Sequence, residues 1–398
     1  MKNKWLVICA VMMPYFLASA TGLISPALEN LAKEYPSIPF TNIVLLGSLP
    51  SLFAIPTAVL TGTLVGQKIS FRKTALIGSG LMAVGGFAPY IFPAFTAIIV
   101  ARAVFGLGYG VCLALLGVLV IRLFEGQTQA NLLGTGSIVL AGSGIVFPLL
   151  AGALVDINTS LVWVVHLIAA LAFLIFFFGL PEPKKAEVAS VTQVKEKTNI
   201  PFSAWALLIA YGLGTMSMYP LFLGSSTIVL GENLGNAAMA GLVLSAYFAG
   251  GLVGGFTFGR FFKLTGKLGV GLAYFLSAFG IALAAFGHSL PLLYAGAFLN
   301  GVGFVGFVQP GTMANLGRTL SPAGMAVAGG LFGALSNVGG FVTPYWMALL
   351  TKITGLDSPR VSLWGGAIVL VILGVWFTVT LTRSSHETKP ASDGVPDA

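Results

Sequence analysis

The sequence predicts an all-α membrane protein whose twelve spanning helices form two parallel six-helix bundles. Three observations support this fold class. The 398-residue chain is 57% apolar and only 8% charged, with a mean hydropathy of +0.95, whereas soluble domains carry roughly 25% charged residues. Its apolar residues fall into twelve stretches long enough to cross a bilayer core about 30 Å thick. Its glycines and prolines recur at a nearly fixed offset between the two halves. Soluble and disordered classes are therefore excluded.

Each apolar stretch is predicted to be one spanning helix. The stretches are 5–28, 41–66, 73–92, 95–121, 130–155, 159–181, 202–228, 236–261, 267–287, 290–316, 323–350 and 361–382. Proline and glycine inside them are compatible with helix, because neighbouring helices can satisfy the freed backbone groups. The first stretch stays apolar as far as Leu28, so we expect an uncleaved helix rather than a signal peptide.

The basic residues predict how the helices are oriented. With the N-terminus inside, 16 of the 20 Lys and Arg lie in connections or termini on one membrane face, which we call the basic face. Three lie on the other, opposite face, and Arg102 lies within a span. Basic connections mark the cytoplasmic side, so we expect a plasma or inner membrane protein with both termini in the cytoplasm. This placement explains the net charge of +8 without nucleic-acid binding, which needs a basic stacking surface.

An internal repeat divides the chain into two halves. The polar segment 182–201 separates an N-terminal bundle, 1–181, from a C-terminal bundle, 202–382, and a tail, 383–398, follows. Both halves start on the same face and contain six stretches, which predicts two parallel bundles related by a pseudo-two-fold axis along the membrane normal, with a substrate site between them. The matching pairs, 193 to 196 residues apart, are Pro26 and Pro220, Gly62 and Gly255, Gly66 and Gly259, Gly106 and Gly301, Gly108 and Gly303, and Pro148 and Pro344.

Three motifs lie within this repeat. They are Gly62-x-Leu64-x-Gly66 followed by Arg72 and Lys73, Arg102-x-x-x-Gly106-x-Gly108, and Ser143-x-x-x-Phe147-Pro148-x-x-Ala151-Gly152. Small residues four apart let helix backbones approach closely. Gly62 with Gly66, and Gly255 with Gly259 in the repeat, are therefore predicted to pack helices closely, either as static contacts or as smooth interfaces along which one half rocks against the other.

These motifs resemble those of the major facilitator superfamily of secondary transporters, and the resemblance covers nearly the whole chain. The first keeps the glycine, leucine and basic end of G-x-L-x-D-R-x-G-R-R/K but has Gly66 in place of the aspartate. The second fits R-x-x-x-G-x-G, and the third is a degraded form of G-x-x-x-G-P-x-x-G-G, the antiporter motif of the drug-efflux subgroup. The resemblance implies alternating access, with Arg72 and Lys73 at a charged inner gate. Their alternative role is to set topology alone.

Few ionisable residues are available for substrate binding or coupling. Arg102 is the one clearly embedded charge, and such residues are functional by default. The resemblance implies that it faces the central cavity; alternatively, it braces neighbouring helices through backbone carbonyls. No carboxylate lies deep in a stretch, which argues against exchange of cations for protons and favours a neutral or anionic substrate. Arg102, His166, Glu29 and Asp156 are the candidates for proton coupling.

The resemblance implies a cavity lined mainly by stretches 1, 4, 7 and 10. An aromatic and methionine-rich lining suits apolar organic molecules, although such residues also pack helices or face lipid. Asn300 and Asn337 are favoured, because a buried amide requires hydrogen-bond partners. The predicted cavity residues are Tyr15, Ser19, Arg102, Tyr211, Met216, Tyr219, Asn300, Asn337 and Tyr345.

The predicted function is secondary transport of small organic solutes, of the efflux type, with protons as a candidate coupling ion. An organic-anion exchanger or uniporter centred on Arg102, a carrier of lipid-like substrates, and a channel or non-transporting sensor are the alternatives. No enzyme activity, metal or cofactor is expected, because the sequence holds three histidines, no metal-binding H-E-x-x-H and no P-loop. The expected partners are the substrate and the bilayer, and the protein is expected to be a monomer.

Overall fold

The described residues, 4–182, 200–356 and 358–383 of a computed structural model, form twelve long helices. The predicted all-α membrane fold is confirmed. Ten helices are long and apolar enough to span a membrane, the bent α1 makes eleven, and the 33-residue α11 occupies the eleventh predicted stretch. The helices are α1 (Lys4–Leu17, then Ala20–Glu34 after a 45° bend), α2 (Phe40–Leu64), α3 (Phe71–Ile91), α4 (Phe95–Leu115), α5 (Gly126–Ile157), α6 (Leu161–Gly179), α7 (Phe202–Gly231), α8 (Ala237–Thr265), α9 (Gly269–Phe286), α10 (Leu290–Thr319), α11 (Pro322–Thr354) and α12 (Pro359–Arg383).

The predicted end of the fourth stretch fails for a clear physical reason. The fourth stretch was expected to run to residue 121, but α4 ends at Leu115 and a short helix, Val118–Leu123, follows. Gly117 lies between them with φ of +77°, a backbone conformation that favours glycine and interrupts a right-handed helix. Hydrophobicity alone continues across this break, so the composition of the stretch could not reveal it.

Corresponding glycines occupy corresponding contacts in the two halves. Gly106 of α4 lies against the backbone of α2, and its repeat partner Gly301 of α10 lies against the backbone of α8. Gly108 lies against α3, and its partner Gly303 lies against α9. A Cβ atom at any of the four positions would clash with backbone atoms of the neighbouring helix. The repeat therefore preserves close helix packing at these four positions. Gly62, Gly255 and Gly259, which belong to the pairs spaced four residues apart, have nothing within 4 Å of an added Cβ atom, so the close packing predicted for them is absent from this conformation.

Buried apolar side chains form two main clusters that follow the chain. One cluster is built mainly from α1 to α6 and the other from α7 to α12. The two sets of helices meet where α5 packs on α8 and where α2 packs on α11. Residues 183–199 of the predicted linker and residues 384–398 of the predicted tail lie outside the described residues.

The α5–α8 contact is closed at one end of the molecule and open at the other. At the opposite face, a Cβ on Gly152 of α5 would clash with Ala237, and a Cβ on Gly241 of α8 would clash with Pro148. Gly134 and Gly259 lie 18 residues, or about five helical turns, closer to the basic face on the same sides of these helices. Nothing lies within 4 Å of a Cβ at either position.

The α2–α11 contact shows the same arrangement. Val44 of α2 and Ala348 of α11 line one crevice at the opposite face, and Met347 packs into the N-terminal apolar cluster. Gly62 and Gly330 lie 18 residues towards the basic face on the same sides of these helices, and a Cβ at either would have open space around it. The two halves therefore meet at the opposite face and separate at the basic face.

Candidate functional site

Arg102 of α4 is at the centre of a polar group inside the N-terminal half. Its side chain is fully buried. The Nε atom donates to the carbonyl oxygen of Leu46 at 2.9 Å, and Nη1 lies 3.2 Å from His166 Nε2. The guanidinium also lies over the Phe105 ring, 4.6 Å from its centroid. Arg102 thus joins α2, α4 and α6, which is the bracing arrangement, and its guanidinium does not reach the space between the halves.

The hydrogen-bond network fixes the tautomer of His166. Its Nδ1 atom lies 3.0 Å from the carbonyl oxygen of Val162, and a carbonyl oxygen only accepts, so Nδ1 carries the proton. Nε2 is then free to accept from Arg102. A proton on Nε2 would remove this acceptor and place two cations in contact. In this arrangement, protonation of His166 and its bond to Arg102 exclude each other.

A cluster of hydroxyl groups lies where the halves meet. Tyr219, at the break between the two segments of α7, lies near Thr21 of α1 and Ser51 of α2. Tyr109 of α4 also lies near Thr21, and its hydroxyl donates to the carbonyl oxygen of Ala18 at 3.0 Å. Side chains from both halves therefore share one polar cluster at the seam.

Aromatic rings from the C-terminal half extend this seam. Phe222 stacks on Tyr219 with ring centroids 5.2 Å apart and meets Tyr247 edge-on at 4.8 Å. Phe248 lies 6.0 Å from Phe222 and packs its ring directly over Gly144 of α5 in the other half. This surface favours flat, apolar groups with a few hydrogen-bonding atoms.

Asp156 links the two halves at the opposite face. Its carboxylate oxygens accept from the backbone N–H groups of Ala237 at 2.8 Å and Ala238 at 3.0 Å, in the first turn of α8. Asn236, the N-cap residue of α8, accepts from the N–H of Met239. Three first-turn donors of α8 are thus satisfied, two of them by the other half of the protein.

Glu182 caps a helix in the same way at the basic face, but within one half. Its two oxygens accept from the backbone N–H groups of Phe71 at 2.7 Å and Arg72 at 3.0 Å, at the start of α3. Ser70 accepts from the N–H of Lys73. The Arg72 guanidinium donates to the carbonyl oxygen of Phe177 in α6. Arg72, predicted at the gate, thus contacts its own half here.

Comparison with known proteins agrees with this architecture. The family model of the Major Facilitator Superfamily matches residues 6–230 and 207–396. The chain belongs to the Major Facilitator Superfamily. The protein is therefore a multi-pass membrane transporter and not an enzyme. No curated protein sequence matches the chain.

Solved structures similar to this superfamily member are distant in sequence. A bacterial homolog of the human lysosomal transporter Spinster, inward-facing and unoccupied, has a TM-score of 0.73 at 16% identity, over 98% of this chain and 100% of that one. The nucleoside transporter NupG has a TM-score of 0.74 at 16% identity, over 94% and 99%. A peptide transporter, POT, has a TM-score of 0.75 at 13% identity, over 97% and 96%. At these identities the similarity shows the fold alone.

Several predicted cavity residues of this superfamily member pack within one half. Tyr15 lies over Gly136 of α5, and Ser19 shares a hydrogen bond of 2.7 Å with Ser143. Tyr211 is stacked between Phe332 and Phe304, with centroids at 3.7 and 5.5 Å.

The two favoured amides have different surroundings. Asn300 is fully buried, donates to Ser277 of α9, and leaves its Oδ1 without a partner among the described residues. A π-helical segment, Val302–Val308, begins two residues later. Asn337 is partly buried and donates to the carbonyl oxygen of Gly333.

Two further predicted cavity residues, Tyr345 and Met216, lie in the C-terminal half. Tyr345 is half exposed, and its ring packs on Phe341. Met216 is partly buried, and its carbonyl oxygen accepts from Thr343.

The four coupling candidates divide into two groups. Arg102 and His166 are in contact within the N-terminal half. Glu29 and Asp156 lie at the opposite face, where Glu29 pairs with Lys33 at 3.5 Å. Among the gate positions, Pro148 and Pro344 lie near that face, whereas Gly255 and Gly259 have open space around them.

Gly66 has a structural reason to be glycine. It begins the turn after α2 with φ of +77° and donates its N–H to the carbonyl oxygen of Ile69 at 2.8 Å. An aspartate, the residue of the superfamily motif, tolerates such a φ only at a cost. At this position the chain therefore lacks the carboxylate of the motif and has an unstrained turn.

Sequence reasoning missed four contributors to the seam and the caps. Tyr109 had a visible signal, as a hydroxyl-bearing aromatic inside the glycine-rich motif of α4. Phe248 and Ser245 had none: an apolar ring and a serine in a spanning helix are common, yet Ser245 donates across the halves to the Ile145 carbonyl at 2.6 Å. Glu182 was assigned to the linker, although its carboxylate caps α3.

An ion pair fastens the ends of three helices in the C-terminal half. Arg360, at the start of α12, contacts both oxygens of Glu232, after α7, at 2.5 and 2.6 Å. Its Nη1 also donates to the carbonyl oxygens of Ala284 and Ala285 at the end of α9. Hydrogen bonding from Arg360 holds the pKa of Glu232 below its ordinary value, and nearby His288 adds to the effect.

We expect this ion pair to stabilise the protein at neutral pH and to lose that stabilising effect at acidic pH. Because the folded-state pKa of Glu232 is depressed, its stabilisation is present above the unfolded-state pKa and is lost as the pH falls through the folded-state value. The thermal midpoint of the wild type should therefore fall as the pH is lowered from 7 to 3. Glu232→Gln should begin lower at pH 7 and fall less, whereas the exposed Glu34→Gln should follow the wild type. Parallel curves for Glu232→Gln and the wild type would contradict the assignment.

Proposed function

We propose that this protein exports small, uncharged organic molecules across the plasma or inner membrane, as a monomer with both termini in the cytoplasm. The observation that carries the proposal is the shape and chemistry of the seam. The seam opens towards the basic face, aromatic rings and hydroxyl groups lie where the halves meet, and the carboxylates of the described residues lie only near helix ends. A solute entering from the cytoplasm would meet apolar and neutral hydrogen-bonding surface rather than charge.

We propose that the pair formed by Arg102 and His166 couples this export to protons. In the described conformation His166 is neutral and accepts from Arg102. Protonation would break that bond and release α6 from the bridge that Arg102 forms with α2. His166 is the only histidine in a spanning helix among the described residues, and its Nε2 atom can hold either a proton or the hydrogen bond from Arg102. The pair thus offers two arrangements that differ by one proton.

A carboxylate exchanger centred on Arg102 is the second candidate function. One observation favours it: Arg102 Nη2 is buried and has no hydrogen-bond acceptor among the described residues. A substrate carboxylate would supply that acceptor. This mechanism requires a second conformation in which the guanidinium turns from the interior of the N-terminal half towards the seam.

Proton movement in proteoliposomes distinguishes the two functions. Reconstituted protein with a pH-sensitive dye inside would be given neutral, cationic and carboxylate compounds. We expect neutral compounds to drive proton flux in the wild type and in His288→Gln, whose histidine lies in an exposed loop, and flux to fall at least about tenfold in His166→Gln. Uptake of carboxylates that depends on Arg102 and moves no protons would instead establish the exchanger. Proton flux that is unchanged in His166→Gln would exclude the proposed coupling.

A further inference from the structure

A separate cavity of about 550 Å³ lies at the opposite face, where the two halves meet. One wall comes from the ends of α1 and α2, and the other comes from α7, α11 and the start of α12. The cavity sits close to helix ends, since Lys33 precedes the last residue of α1 and Lys352 lies two residues before the end of α11. It is therefore at the level of lipid headgroups and water, away from the Arg102 group.

Among the described residues, the cavity lining holds more positive than negative charge. The charged side chains of these residues that line it are Glu29, Lys33 and Lys352. Glu29 pairs with Lys33 at 3.5 Å. No carboxylate of the described residues lies within 4.0 Å of the Lys352 ammonium group. An anion entering the cavity would therefore find, on the C-terminal wall, one cation without a carboxylate partner among the described residues, and across from it a second cation that Glu29 partly neutralises.

The deeper part of the cavity combines an unpaired hydroxyl with apolar surface. Thr227 of α7 lines it, and the Thr227 Oγ1 atom is buried without a hydrogen-bond partner among the described residues. Such a group is costly unless it gains a partner. Val44 and Met347, one from each half, form buried apolar surface beside it. The arrangement accommodates a polar head and a short hydrocarbon chain together.

We infer that this cavity binds an organic anion with a short apolar chain. Lys352 would bind the anionic group in a charge-assisted contact, Thr227 would donate a further hydrogen bond, and the chain would lie against Val44 and Met347. The binding surface exists only while the opposite face is closed, because both halves contribute to it. Binding would therefore favour the conformation described here and slow transport; this consequence, unlike the binding itself, rests on the proposed function.

Octanoate binding to the full-length protein tests the inference without any transport measurement. The protein would be placed in nanodiscs of phosphatidylcholine and titrated by calorimetry with octanoate, and with octanol as the uncharged probe of equal length. We expect octanoate to bind at least about tenfold more tightly than octanol, which corresponds to 1.4 kcal/mol. Lys352→Gln should weaken octanoate binding at least about tenfold, and Lys263→Gln, on the basic face, should leave it unchanged. Lys352 is exposed, so its substitution should not disturb folding.

A second arm identifies the source of the anion. If nanodiscs that contain phosphatidic acid raise the thermal midpoint of the wild type but not of Lys352→Gln, and block octanoate binding, the occupant is an anionic lipid. If octanoate binds equally in both kinds of nanodisc, the occupant is a soluble anion. Octanoate binding that survives in Lys352→Gln, or equal binding of octanol, would overturn the inference. Because no flux is measured, failure here leaves the export proposal intact, and failure of export leaves this site intact.

Discussion

Gly152→Leu is expected to prevent closure of the opposite face and to reduce transport at least about tenfold. Even a Cβ atom at Gly152 would clash with the carbonyl group of Ala237 and lie 2.8 Å from the Cα of Ala238. Backbone atoms cannot move aside as a flexible side chain can, so the added leucine must push α5 and α8 apart. The variant should fold, because both helices remain intact when the opposite face is open.

Cysteine accessibility measures this effect without a known substrate. Ser245 lies in the α5–α8 contact, so Ser245→Cys, in a background with Cys9 and Cys112 replaced by serine, reports opening of the opposite face. We expect a membrane-impermeant thiol reagent to label this position at least about tenfold faster in Gly152→Leu. The neighbouring Ala153 is exposed, so Ala153→Leu is the matched control. In this variant the cysteine at position 245 should be labelled at the same rate as without the substitution. Equal labelling of both variants would contradict the closed contact described above.

Arg102→Met is expected to lose both proton coupling and stability. Methionine fills much of the same volume, but it donates to neither the Leu46 carbonyl oxygen nor His166 Nε2. A buried acceptor left without a donor costs roughly 1–3 kcal/mol. The thermal midpoint should therefore fall by several degrees, and proton flux driven by neutral compounds should fall at least about tenfold.

The two readouts separate bracing from coupling. Arg102→Lys retains the charge and one donor, so its stability should be intermediate. Arg260→Met, at an exposed position of α8, removes an arginine without touching the pair and should match the wild type in both measurements. A lower midpoint with undiminished proton flux would show that Arg102 is a brace alone. An unchanged midpoint would contradict the hydrogen bonds described here.

The fold was predictable because membrane insertion leaves few alternatives. Apolar stretches of about 20 residues must be helices, since backbone groups find no partners in lipid. Six stretches per half and matched glycines then predicted the repeat. Breaks at single residues were not predictable from composition, as Gly117 shows, because its positive φ depends on local packing. The bend in α1 was missed for the same reason, since its apolar sequence continues through the break.

The candidate site was predictable in residue type more than in position. Arg102 stood out because a charge in a spanning helix is costly, yet cost alone cannot tell whether it faces a cavity or its own bundle. His166 was identified by its ordinary titration range, but its bond to Arg102 joins residues 64 positions apart. Phe248 contributes to the seam only because Gly144 leaves room for its ring. Such pairings depend on three-dimensional contacts that one sequence does not encode visibly.

Asp156 contacts α8 through its side chain, whereas α8 contributes main-chain atoms. Because the partners of Asp156 are main-chain amides, every substitution at residues 237 and 238 except proline keeps the donors. Proline suits the first turn of a helix, and Ala237→Pro would thus remove one donor while leaving α8 able to form. The hydrogen bonds of Asp156 therefore place no demand on the side chains of residues 237 and 238, and the constraints on the α8 side come from packing, because Ala237 is buried and Gly241 has no room for a Cβ atom.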